Sequence, residues 1–143
     1  MFGSPQRGAR AYEKTGVETG VMAADPHKLV QMLFEGARMA IARGLLAMEQ
    51  GDVPRKGESI SRAIKIVLEG LNASLSRDAS PELADRLAAL YDYIARRLTE
   101  GNARNDPAPI READRLLAEL ESAWRAIAPD RRQQAAAGKL LPA

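Results

Sequence analysis

Side chains capable of acid–base, nucleophilic or metal chemistry are few in this 143-residue sequence, and their spacing does not suit it. His27 is the only histidine and cysteine is absent, so thiolate sites, disulfides and a histidine metal pair are all excluded. His27 follows Pro26 in the first turn of a predicted helix, where it reads as exposed structural filler. Glu35, Glu49 and Glu69 lack a histidine three residues on, so the Glu-x-x-His pattern of a carboxylate-bridged metal bundle is missing. No glycine-rich loop could cradle a phosphate. Asp92 lies between Tyr91 and Tyr93, one turn before Arg96 and Arg97, and is the nearest thing to an acid site. An Asp92–Arg96 pair at i,i+4 on a helix surface accounts for it more simply. The chain therefore reads as neither an enzyme nor a cofactor or metal carrier.

Charge excludes a second class. The net charge of +2 and the pI of 9.1 suggest a nucleic-acid binder until the charges are placed. Residues 26–128 carry 15 basic and 15 acidic side chains, and the excess comes from Arg131, Arg132 and Lys139 opposed only by Asp130. Phosphate binding needs clustered cations, and these are interleaved with acids. No apolar run approaches the roughly 20 residues that cross a bilayer. Met1 to Arg10 lacks the apolar core of a secretory signal. A soluble protein without membrane insertion or nucleic-acid binding is expected.

Apolar residues recur at helical spacing throughout, and proline and glycine divide the pattern into four segments. Asp25 caps a helix that opens at Pro26 and stops at Gly51. A second runs from about Pro54 to Arg77. A third runs from Pro81 to about Glu100, with Gly101 and Asn102 as its break. Asp106 and Pro107 open a fourth that ends before Pro129. Connections of a few residues force successive helices antiparallel. The fold expected is all-α, an antiparallel up-down four-helix bundle over 26–128, with a mobile or docked segment at 1–25 and a disordered basic tail at 129–143.

The helices carry more apolar surface than a bundle core requires. On the second, Ile60, Ile64, Val67, Leu71 and Leu75 make a core stripe, flanked by Ala63, Ile66, Gly70 and Ala73. The apolar arc spans roughly 220°, against about 100° for one buried face. On the third, Leu83, Leu87, Leu90, Ile94 and Leu98 form the stripe, extended sideways by Ala84, Ala88, Tyr91 and Ala95. On the first, Gly36, Ala40 and Gly44 sit four apart, although glycine within a helix costs up to about 1 kcal/mol against alanine. Met32, Met39 and Met48 add adaptable side chains. Two readings compete for these small-lined faces. They serve tight helix crossings within the bundle, or they form a groove for a partner helix. The second reading assigns Ile66, Gly70, Ala73, Ala84, Ala88, Tyr91 and Ala95 to the groove, with Gly36, Ala40 and Gly44 as points of close approach.

Several ordered motifs resemble the flagellar secretion chaperone FliS family. Leu90-Tyr91-Asp92-Tyr93-Ile94 with Arg96-Arg97-Leu98 is similar to its third helix, followed by Asn102, Asn105 and Asp106 at its next turn. Asp25-Pro26-His27-Lys28-Leu29-Val30-Gln31-Met32-Leu33-Phe34-Glu35-Gly36-Ala37 is similar to its first helix, with Asp25 for the usual serine and Phe34-Glu35 for Tyr-Asp. Tyr12, Val17 and Thr19 resemble its upstream segment, Leu71 to Leu75 its second-helix end, and Trp124 its fourth-helix tryptophan. The resemblance implies a cytoplasmic export chaperone that binds the disordered C-terminal part of flagellin in apolar grooves. Such binding would prevent premature polymerisation and deliver the client to a component of the flagellar export gate. Tyr12 and Val17 are expected to fold back over the empty groove. The alternative is a structural or adaptor bundle whose apolar arc makes a homodimer and binds no flagellin.

Overall fold

The computed structural model describes the backbone of residues 25–78 and 80–140, and side chains as far as residue 127. Four helices follow one another, and no strand occurs among the described residues. Helix α1 (Pro26–Glu49) begins where the sequence puts its cap, with the Asp25 carboxylate accepting from the Lys28 N–H at 3.1 Å. Gly51 leaves it at φ +70°, in the left-handed region that glycine enters without a Cβ penalty. Asp52 then caps α2 (Val53–Lys65) through the Arg55 N–H. Its chain continues through a π-helical stretch, Ile66–Leu71, and a 3-10 turn, Asn72–Ser74. The π stretch has no signature in residue spacing. Ser74 Oγ donates to the Gly70 carbonyl at 2.8 Å within it.

Helix α3 (Pro81–Arg104) starts at a Ser80 cap and runs a full turn past Glu100. Gly101 is therefore not its stop. It is buried inside the helix, where an added Cβ would lie 2.5 Å from Ile110 Cγ1 and 2.8 Å from the Asp106 carbonyl oxygen. The glycine permits the tight reversal into α4, and the break comes at Asn105, left-handed at φ 53°. Lys56 closes this end. Only 7% exposed, its ammonium donates to the Asn102 carbonyl at 3.1 Å and to Asn105 Oδ1 at 3.0 Å, placing a cation at the negative end of α3. Helix α4 (Pro107–Leu140) does not end before Pro129, as the sequence predicts. Proline removes one backbone donor at a cost of about 3 kcal/mol. Beyond it, however, residues 131–137 are arginine, glutamine and alanine, among the strongest helix formers.

α1 packs against α2 and α4, and α3 packs against the same two, which closes an antiparallel four-helix bundle. Ile41, Ile60, Val67, Leu71, Ile94, Leu98, Ile110 and Leu117 fill its centre. His27 is not exposed filler. Its ring stacks on Trp124 with centroids 4.3 Å apart and planes within 11°. His27 Nε2 lies 3.0 Å from the Trp124 carbonyl, while Trp124 Nε1 donates to the His27 carbonyl at 2.9 Å. Stacking together with this reciprocal bonding staples the start of α1 to α4 across 97 residues of sequence.

Candidate protein-binding face

Most of the small residues singled out in the sequence lie at helix contacts within the bundle. A Cβ on Gly44 would lie 2.8 Å from Ile60 Cγ1, one on Gly36 3.6 Å from Ile66 Cδ1, and one on Gly70 3.0 Å from Leu33 Cδ2. Ala40 is 2% exposed. These positions let α1 and α2 approach closely. Ile66, Ala84, Tyr91 and Ala95 are buried as well. Burial pushes the Tyr91 phenol up to about 12. Ala73 is exposed, while Ala88 and Gly36 are half-buried. Tyr12 and Val17 lie outside the described residues.

The core stripe expected on the α2 chain is buried at Ile60, Val67 and Leu71, but the edges of its apolar arc differ from those expected. Ala63, Ile66 and Gly70 turn inward, whereas Ile64 is half-buried and Leu68 is 37% exposed. Periodicity fixes an arc's width and is silent on which edge meets the neighbouring helix. On α1 the residues left outward are Met32, Met39 and Leu46, at 42%, 57% and 53% exposure and seven residues apart. They run along one helical stripe. Because small side chains bring α1 and α2 together, their outer flanks make a groove of about 970 Å³. Its apolar lining is Ala40, Leu46, Ala47, Ile64 and Leu68. Leu46 and Leu68 are the members that sequence reasoning missed. The heptad of Met32, Met39 and Leu46 is visible in the sequence; the outward turn of Leu68 is not.

Some polar groups around this groove have no partner among the described residues, although Arg55, which also lines it, pairs with Asp52. Arg43 and Arg62 line it, are exposed, and make no ion pair among the described residues. Glu69 Oε1 is buried at its edge and accepts no hydrogen bond.

The α1–α4 and α3–α4 seams are cross-linked. Between α1 and α4, Arg38 binds Asp114 through Nε at 3.0 Å and reaches Glu121 at 3.1 Å, and its pKa is raised chiefly by Asp114. Glu121, 4% exposed, also accepts from Gln31 at 2.8 Å and Arg125 at 3.0 Å. Between α3 and α4, Arg97 Nε donates to Glu112 at 2.5 Å and the Tyr93 hydroxyl donates to it at 2.9 Å. Tyr93, which has no role in the sequence pattern, is thus a cross-link. Asp92 pairs with Arg96 at 3.3 Å, as the i,i+4 spacing predicts.

Arg97, and after it Tyr93, hold the Glu112 carboxylate below its ordinary value of 4.5. A carboxylate depressed on folding adds stability above its unfolded pKa and loses it as pH falls through the lower folded value. Glu112→Gln should therefore melt below wild type near neutrality. The gap should narrow on acidification from about pH 5 to 3 in thermal melts. A gap independent of pH would contradict this role for Glu112.

None of the described helices is long and apolar enough to cross a membrane. The geometry is that of a closed bundle with an open, partly apolar groove on its α1–α2 face, a surface suited to holding a segment of another protein.

Comparison with known proteins gives this face its context. The pattern of the family described as flagellar protein FliS matches residues 8–131. The flagellar secretion chaperone FliS of Salmonella typhimurium (strain LT2) is 47% identical over 122 residues, covering 85% of this chain and 90% of the relative. The flagellar secretion chaperone FliS of Escherichia coli (strain K12) is 40% identical over 119 residues, covering 83% and 88%. That of Bacillus subtilis (strain 168) is 33% identical over 129 residues, covering 90% and 92%. With a family pattern over most of its length and relatives this similar, the chain belongs to the FliS family of flagellar secretion chaperones.

Proposed function

We propose that this flagellar export chaperone acts in the cytoplasm on flagellin, holding its C-terminal segment on the outer face of α1 and α2. The observation that carries the reading is the pair of exposed apolar side chains in the groove, Leu46 and Leu68, beside half-buried Ile64, with Met39 exposed on the same stripe of α1 as Leu46. Large apolar residues left in a contiguous line on the surface of a bundle are better explained by a partner than by packing. A client segment that is disordered when free would fold as it docks, its helix laid into the groove with apolar residues inward. While it is covered, the segment cannot pair with other flagellin molecules. The chaperone thereby keeps its client unpolymerised until the export gate receives it.

Titrating a flagellin C-terminal segment into the purified chain tests this reading. Saturable binding with a gain of helical circular dichroism and a negative heat-capacity change is expected, because ordering and apolar burial occur together. A chain that forms a stable dimer and takes up no flagellin segment would contradict it and support the homodimeric bundle instead.

A further inference from the structure

We infer that the α1–α2 groove is built for an amphipathic helix with an acidic residue midway between two apolar residues two turns apart. The inference rests on reading this face as the client site, and it specifies the chemistry of the segment that fits.

Close contacts fix the antiparallel register of the two helices: Gly44 against Ser59 and Ile60, Gly36 against Ile66, and Leu33 against Gly70. In that register Met39 stands level with Ile64, Arg43 lies within a turn of Arg62, and Leu46 lies one turn further on. The groove thus has an apolar end at Ile64 and Leu68, a second apolar contact at Leu46, and the guanidinium groups of Arg43 and Arg62 between them, with exposed Met39 beside it on the α1 stripe that carries Leu46. Met39 and Leu46 are seven residues apart, or about 10.5 Å along the axis. A helix lying alongside meets them with side chains of the same spacing.

The two arginines decide what lies between those anchors. Arg38, Arg96, Arg97, Arg104 and Arg125 each hold a carboxylate of this chain. Arg43 and Arg62 hold none among the described residues, although both border apolar surface. A wholly apolar helix laid over them would strip water from two cations and return nothing. An aspartate or glutamate at that point forms charge-assisted hydrogen bonds instead, and a lysine there is repelled. The lining carboxylates Glu58 and Glu69 flank the Arg43–Arg62 stretch in the same register, and the lining cations Arg55 and Lys65 stand near them.

Two synthetic helical peptides of about 18 residues, or ~27 Å, provide the test. Both carry leucines seven positions apart; one has glutamate midway and the other lysine. Titrated into the full chain at about 50 mM salt, where exposed charges are weakly screened, the glutamate peptide should bind at least about tenfold more tightly. The Arg43→Glu/Arg62→Glu double variant, its fold checked by circular dichroism, should reverse the preference. Equal affinities, a lysine preference in wild type, or no binding of either peptide would overturn the proposal. The flagellin segment titrated into a Leu46→Asp/Leu68→Asp variant separates the location of the client from its charge pattern. If it still binds, the reading of the face fails. If it is lost while the peptides show no charge preference, the face stands and the acidic complement alone is wrong.

Discussion

Aspartate at both Leu46 and Leu68 is expected to weaken capture of the flagellin segment by about a hundredfold or more, with the fold unchanged. The two side chains are 53% and 37% exposed in the free chain, so a docked client removes a substantial apolar area from water. Fully burying a leucine is worth about 1.5–3 kcal/mol, and half of that at two sites gives roughly 1.5–3 kcal/mol. The substitution also sets two carboxylates against an apolar client face, which adds desolvation cost. A combined loss near 3 kcal/mol is about a hundredfold in Kd. Exposed positions outside the core tolerate such changes within about 0.5 kcal/mol of stability. Wild-type melting with lost binding is the expected pair of observations in calorimetry and circular dichroism. Wild-type affinity would place the client elsewhere.

Ile66→Asp should have the opposite profile, damaging the fold first. Ile66 is 5% exposed and faces Gly36 of α1 from the π-helical stretch of the α2 chain. The change removes buried apolar volume, at about 2–5 kcal/mol for an isoleucine cut back, and places a carboxylate where no partner waits. The sum exceeds about 4 kcal/mol, the exceptional end of single substitutions, in a domain whose whole stability is about 5–15 kcal/mol. A large fall in the urea midpoint is expected. A variant with an unchanged midpoint that nonetheless fails to bind client would show Ile66 to be part of the docking surface and not of the bundle core.

The contrast between Leu68 and Ile66 shows what a sequence can and cannot convey. Helix starts are legible because the physics is local: Asp25, Asp52 and Ser80 each accept from a backbone N–H three residues on. The four segments and the bundle follow from them. Gly101 misleads because glycine serves two purposes, ending helices and admitting a neighbour. Only the position of Ile110 distinguishes them here. Long-range pairings are not legible at all. The His27–Trp124 staple, Lys56 at the end of α3 and the Tyr93–Glu112 bond join residues whose relation exists only after folding. The site lies between these extremes. Excess apolar surface on the α1–α2 pair is evident in the sequence, but the edge turned outward depends on which flank the close-packing glycines occupy.

Docking of flagellin on the outer face of α1 and α2 is the claim on which the rest depends. Hydrogen–deuterium exchange of the chaperone, alone and saturated with a flagellin C-terminal segment, tests this most directly. Added protection is expected in the stretches 40–50 and 55–69, which line the groove, with little change around the Tyr93–Glu112 cross-link. Protection confined to α3 and α4, with the groove exchanging as in the free chain, would contradict it.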